Sequence, residues 1–273
     1  MGKVFISIED IEYGDFKWID TRFSLKDASE GKKSFMESHV LGAVHWDLNE
    51  DLSDLSKQNG RHPMPEKESL IELFRSSGLE LGNAIAVYDD GGSPFAARAW
   101  WLLQYAGFKK SFILLEGFER IYELGIPVTK TDSHPERSSV TPDWDESLYA
   151  SRDYVQRLVT NGTAGVLLDA REAKRYRGEI EPLDKVAGRI PGALNFDWEQ
   201  VKKNDVFQLD ESLKENLEKV VDSSKEVTVY CGSGVTAAPV YAMLKHFGYV
   251  NARLYVGSFS DWISKESAEV EKG

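Results

Sequence analysis

The chain has 273 residues, 41% hydrophobic and 29% charged, which allows one large domain or two of moderate size. Its formal net charge of −12 argues against nucleic acid and anionic membrane as partners, because both are polyanions, but not against small anionic substrates, which respond to local charge. One cysteine excludes an intrachain disulfide and a cysteine-cluster metal site, and the five histidines show no metal-ligand spacing, so neither metal nor cofactor is expected. Met1 leads directly into Val4-Phe5-Ile6, without a basic segment or a long apolar run. That predicts a cytoplasmic protein with no signal peptide and no membrane span.

In chain order, Lys17 to Asp20 reads as a short buried strand with Thr21-Arg22 at its end. A polar stretch follows to Lys33, then Ser38 to Asp47, then an acidic, serine-rich loop from Asp51 to Lys57. Gly60-Arg61-His62-Pro63-Met64-Pro65 is a second loop, stiffened by two prolines. Glu66 to Ser77 has helical spacing, with Leu70, Leu73 and Phe74 on one face. Ala84 to Tyr88 reads as a strand ending in Asp89-Asp90-Gly91-Gly92; a Trp100-Trp101 helix and a strand at Phe112 to Leu115 follow.

The second half repeats this order. Val166 to Arg171 answers Trp18 to Arg22, Gly188 to Asp197 answers Ser38 to Asp47, and Leu254 to Phe259 answers Leu114 to Phe118. Copies of over 100 residues are too long for a solenoid unit and indicate a duplicated domain. The prediction is an α/β fold of tandem duplicated domains, each a mostly parallel sheet flanked by helices. The domains are expected at 1–129 and 148–273, joined by a linker at 130–147 rich in Ser, Thr, Asp and Glu.

Where the first copy has Asp89-Asp90, the second has Cys231, in Val227-Thr228-Val229-Tyr230-Cys231-Gly232-Ser233-Gly234-Val235-Thr236-Ala237. An apolar, β-branched run ends in the cysteine, a Gly-x-Gly turn follows, and a helix is expected through Leu244. Strand, loop and helix put the sulfur at a strand's C-terminal end, facing a helix N-terminus with inward backbone N–H groups. That pattern predicts a nucleophilic thiolate in the second domain and none in the first.

The ordered set Asp169-x-Arg171, Arg175-Tyr176, Ile190-Pro191-Gly192-Ala193, the cysteine loop and Gly257-Ser258-Phe259-x-x-Trp262 resembles the two-domain rhodanese-type sulfurtransferases. The neutral loop is similar to the 3-mercaptopyruvate type; thiosulfate-type members carry basic residues where Gly232 and Ser233 stand. The resemblance implies transfer of a sulfane sulfur from 3-mercaptopyruvate, by ping-pong through a Cys231 persulfide, to a thiol or cyanide. A protein thiol such as thioredoxin belongs to the same class of acceptor. It also implies a substrate loop of Gly232, Gly234, Val235 and Thr236, with Ser233 and Thr236 offering hydroxyls to the sulfur or a leaving enolate, or capping the helix. Arg175 matches the family's carboxylate-binding arginine, Arg171 braces the loop or touches substrate, and His39 matches a family histidine with a proton-relay role.

Some positions depart from the pattern. Asp184 falls where a second carboxylate-binding arginine is usual, leaving Lys185 or Arg177 to substitute; Arg189 replaces a histidine and Leu41 a proline. Two other readings share the motif: a thiosulfate:cyanide sulfurtransferase, and a non-catalytic persulfide carrier or binding module. A cysteine phosphatase would need an arginine six positions after the cysteine, and Ala237 stands there.

Overall fold

The structure, a computed structural model, describes residues 3–162 and 165–273. It divides into two compact units. One comprises the chain up to Asp54, Pro65–Asp145 and Asn204–Phe207; the other comprises Leu55–Met64, Glu146–Lys203 and Gln208–Gly273. Both are α/β with parallel main sheets.

The first unit is built on a five-stranded sheet in the order Phe5–Ile6, Ser111–Leu114, Ala84–Tyr88, Phe16–Asp20, Val44–His45, every pairing parallel. Ala84–Tyr88 is an unbroken apolar run because it lies centrally, covered on both faces. Parallel neighbours need crossovers. The Phe95–Tyr105 helix supplies one and is buried nearly all round, which accounts for Trp100 and Trp101 side by side. A separate antiparallel pair joins His39–Val40 to Val128–Thr129. The stretch expected as linker runs along this unit: Ser138 N–H donates to Arg75 O, and Asp143 and Asp145 N–H donate to Ala106 O and Tyr105 O.

The second unit repeats the plan with four parallel strands, Ala252–Leu254, Val227–Tyr230, Val166–Asp169 and Leu194–Asn195. The register sets Tyr230 against Asp169, as Tyr88 is set against Asp20 in the first unit. The Ala237–His246 helix follows the cysteine strand and is buried from Ala237 to Leu244. Phe259, Trp262, Tyr255 and Ile190 close the core beneath the loop, each such large apolar side chain contributing about 1.5–3 kcal/mol.

Some elements escaped the sequence reading. The stretch up to Lys33 holds the start of a helix, Glu30–Glu37, which buries only Gly31 and Phe35. Phe5–Ile6 is a strand of two residues. Among the described residues no helix is long and apolar enough to cross a membrane.

Candidate active site

Cys231 follows the last residue of its strand and is 1% exposed. Gly234 turns the chain back with φ 74°, and a Cβ there would collide with Val256 O, so only glycine fits. The Gly234 N–H donates to Cys231 Sγ at 3.2 Å. Below the loop, Cys231 N–H donates to Ser258 Oγ at 3.0 Å, and Ser258 Oγ–H donates to Tyr255 O at 2.9 Å. Ser258 makes these bonds from a left-handed backbone, φ 56°, a strained position for a residue with a side chain. Phe259 N–H to Cys231 O at 3.0 Å and Ser260 N–H to Gly232 O at 2.9 Å complete the cradle. The loop is therefore held from beneath at three successive residues, Ser258 to Ser260.

Above the loop lie side chains from two other segments. Arg175, on the short Ala173–Tyr176 helix, turns Nε and Nη2 to Glu181 at 3.2 and 2.7 Å. Its Nη2 also reaches Asp184 at 3.3 Å. The second segment is Leu55–Met64. Its Arg61 pairs with Asp184, and His62 Nδ1 lies 2.9 Å from Ser233 Oγ. A Cβ on Gly232 would collide with Arg61 Nη2 and come within 3.4 Å of Arg175 Nη2. Two guanidiniums thus converge on the residue after the cysteine. Burial raises the Asp184 pKa, with Arg61 and Arg175 pulling the other way. For Glu181, burial works upward but the Arg175 hydrogen bond prevails and lowers it.

Arg171 is a brace. Its Nε and Nη2 bind both oxygens of Asp169, Nη2 also donates to Gly188 O at 2.7 Å, and the guanidinium stacks 4.1 Å from the Phe259 ring. Burial works to lower its pKa, but Asp169 leaves it raised. Val235 is buried, while Thr236 is half-buried and makes no side-chain cap bond. A cavity of about 290 Å³ opens here, lined by Arg171, Arg175, Trp198 and Thr236 among others. Among the described residues, no group of three or more His, Cys, Asp or Glu could hold a metal ion.

His39 has different surroundings. It belongs to the first unit, is fully buried, stacks on Phe35 at 3.7 Å, and points its ring nitrogens at Phe35 O and Thr131 O. His62 is the histidine that reaches the cysteine loop. Near Asp184 in sequence, Lys185 is exposed and Arg177 binds Glu179, while the carboxylate itself is held by Arg61 and Arg175. The sequence hinted at Arg61 and His62 only through the proline-stiffened loop that carries them.

A Rhodanese-like domain model matches residues 8–124 and again 151–265. A probable 3-mercaptopyruvate sulfurtransferase of Pseudomonas aeruginosa is 35% identical over 95% of this chain and 93% of its own. SseB of Mycobacterium tuberculosis (strain H37Rv), provisionally named a thiosulfate sulfurtransferase, is 36% identical over 93% and 90%. The crystal structure of SseA from Escherichia coli, a 3-mercaptopyruvate sulfotransferase, superposes with a TM-score of 0.80 at 25% identity, over 94% of this chain and 99% of that one. With two matched domains and relatives of this identity along nearly its whole length, the chain belongs to the rhodanese family and is a sulfurtransferase.

Proposed function

We propose that the protein moves a sulfane sulfur from 3-mercaptopyruvate to a thiol or cyanide through a persulfide on Cys231. One observation carries this reading. The Cys231 sulfur accepts the Gly234 N–H, and the Arg175 guanidinium stands over the adjacent, uncharged Gly232. A guanidinium next to the cysteine suits the single carboxylate of mercaptopyruvate.

In the first half-reaction the Cys231 thiolate attacks the donor sulfur, the donor's carbon–sulfur bond breaks, and its electron pair leaves as the enolate of pyruvate. The proton from the donor thiol ends on the enolate carbon, and the enzyme keeps Cys–S–S⁻. Ser233 Oγ, in contact with His62 Nδ1, is the group this proposal assigns to that proton, with His62 in place of His39. In the second half-reaction the acceptor attacks the outer sulfur. Its product is a persulfide, or thiocyanate from cyanide, and the Cys231 thiolate returns. A reducing cytoplasm would keep a lone cysteine free for this cycle, and a protein thiol such as a thioredoxin is within the acceptor class.

The likeness to SseB favours a second reading, with thiosulfate as donor. Kinetics with both donors decides between them. Wild type should show the higher kcat/KM with mercaptopyruvate and gain one sulfur by mass spectrometry. Cys231→Ser should gain none and lose transfer by at least about a thousandfold. Transfer by the serine variant sinks the mechanism; a higher kcat/KM with thiosulfate overturns the donor.

A further inference from the structure

Asp184 poses a charge problem. It lies beside the reacting cysteine's loop, where a carboxylate would repel an anionic donor, yet its side chain is 4% exposed and held between two guanidiniums. We infer that Arg61 is a specificity-determining residue that binds the donor's carboxylate together with Arg175, with Asp184 as its positioning partner. This inference rests on the function proposed above.

The arm that carries Arg61 is built for placement. Gly60 has φ 106°, and a Cβ there would lie 3.1 Å from Ser260 Oγ and 3.3 Å from Asp261 N, so the backbone packs directly on the Ser258–Trp262 helix. Arg61 N–H then donates to Ser260 Oγ at 3.1 Å, and Ser260 N–H donates to Gly232 O at 2.9 Å. Pro63 and Pro65 restrict the chain beyond it. The arm is thus tied through one residue, Ser260, to the loop that holds the nucleophile.

Arg61 gives Nη1 to Asp184 and holds Nη2 over Gly232, where it has no acceptor among the described residues. Arg175 gives Nε and Nη2 to Glu181, and its Nη1 likewise has no acceptor among the described residues. Each arginine therefore keeps one terminal nitrogen for a ligand, and that of Arg61 faces Gly232, next to the cysteine that would meet the donor's sulfur. Asp184 takes Nη1 of Arg61, and Glu181 with Asp184 takes the Nε–Nη2 edge of Arg175, so each guanidinium is fixed in place with its other terminal nitrogen left over. A planar carboxylate is the matching partner. Asp184 thereby exchanges a cation supplied locally for one recruited from a distant segment.

The test compares two donors, 3-mercaptopyruvate and 1-mercaptopropan-2-one, in which a methyl group replaces the carboxylate. Arg61→Ala should raise KM for mercaptopyruvate about 10- to 100-fold and leave kcat/KM for mercaptopropanone within about twofold. Arg61→Lys, which keeps the charge and loses the fork, should fall between wild type and Arg61→Ala with mercaptopyruvate alone. Equal losses with both donors, in both variants, would mean that the arm merely supports the loop, and would overturn the assignment. So would unchanged kinetics with mercaptopyruvate in an enzyme whose Cys231 still takes up sulfur. Should wild-type Cys231 take no sulfur from mercaptopyruvate at all, the proposed function fails, and the assignment of Arg61 to that carboxylate falls with it.

Discussion

The two units carry the same frame around different chemistry. In each, a tyrosine ends the central strand and accepts a backbone N–H at 3.2 Å, from Val40 to Tyr88 and from Ile190 to Tyr230. In each, an arginine two residues after a buried aspartate grips it with two nitrogens, Arg22 on Asp20 and Arg171 on Asp169. Both arginines lie over a phenylalanine ring, Phe118 at 3.9 Å and Phe259 at 4.1 Å. The next residue after the tyrosine differs. Asp89 is a carboxylate that accepts from Gly91 N at 2.8 Å and Ala96 N at 3.0 Å, closing its own loop. Cys231 offers a sulfur to Gly234 N and has arginines arriving from other segments. The frame positions the end of the strand, and residues outside the frame decide what it does.

If the frame is shared, breaking it should cost the same in both units. Arg22→Met and Arg171→Met would each leave a buried aspartate unpaired, with a loss of about 3–5 kcal/mol of stability in its own unit. Urea unfolding followed by hydrogen exchange in each unit measures this. A cost below about 1 kcal/mol in either unit would show that its ion pair does not hold the frame.

That frame was largely legible in the sequence, and the reason is physical. Strands such as Ala84–Tyr88 and Val227–Tyr230 are buried on both faces, so their residues are continuously apolar and stand out. The cysteine loop was legible as well, because a lone cysteine before Gly-x-Gly is a local pattern, and Gly234 N–H does turn onto its sulfur. Arg61 and His62 were not, because what gives them their place is contacts across 123 to 199 positions of chain, and no periodicity encodes them. The two-residue strands escaped for the opposite reason, being too short to show any period. The surroundings of Asp184 were not legible either, since one of its two arginine partners, Arg61, lies 123 positions away.

The carboxylate of the first unit should also reveal itself by pH. Burial pushes the Asp89 pKa up to about 7 from the ordinary 3.8, despite its two backbone N–H partners. Between those values the folded state holds a proton that the unfolded chain has released, so this group makes stability fall as pH rises. From pH 5 to pH 7 the loss from Asp89 is about 2–3 kcal/mol. Asp89→Asn should remove that slope, whatever constant cost the amide adds. The stability of the variant relative to wild type should therefore grow across this range. A pH-independent difference would mean that Asp89 stays ionised throughout, as an open, solvated loop would allow.

The smallest expected effect lies one residue further on, where the first unit has Asp90 and the second Gly232. Burial raises the Asp90 pKa, and Asp20, Glu30 and Glu119 add to it against Arg22, so that position in the first unit is an acidic neighbourhood. In the second unit the corresponding space over the glycine holds Arg61 Nη2. Gly232→Ala would put a methyl group into that nitrogen. Nη2 is the far end of a flexible side chain and can swing aside, so the cost should be about 1 kcal/mol, or about fivefold in KM for mercaptopyruvate. Because the methyl acts through Arg61, adding Gly232→Ala to Arg61→Ala should change KM no further. Two sites acting through one group are not additive, which makes the double variant the sharper measurement. If the fivefold loss persists when Arg61 is already gone, the alanine disturbs the cysteine loop itself. The contrast between Asp90 and Gly232 would then lie in backbone packing rather than in the cation that the glycine admits.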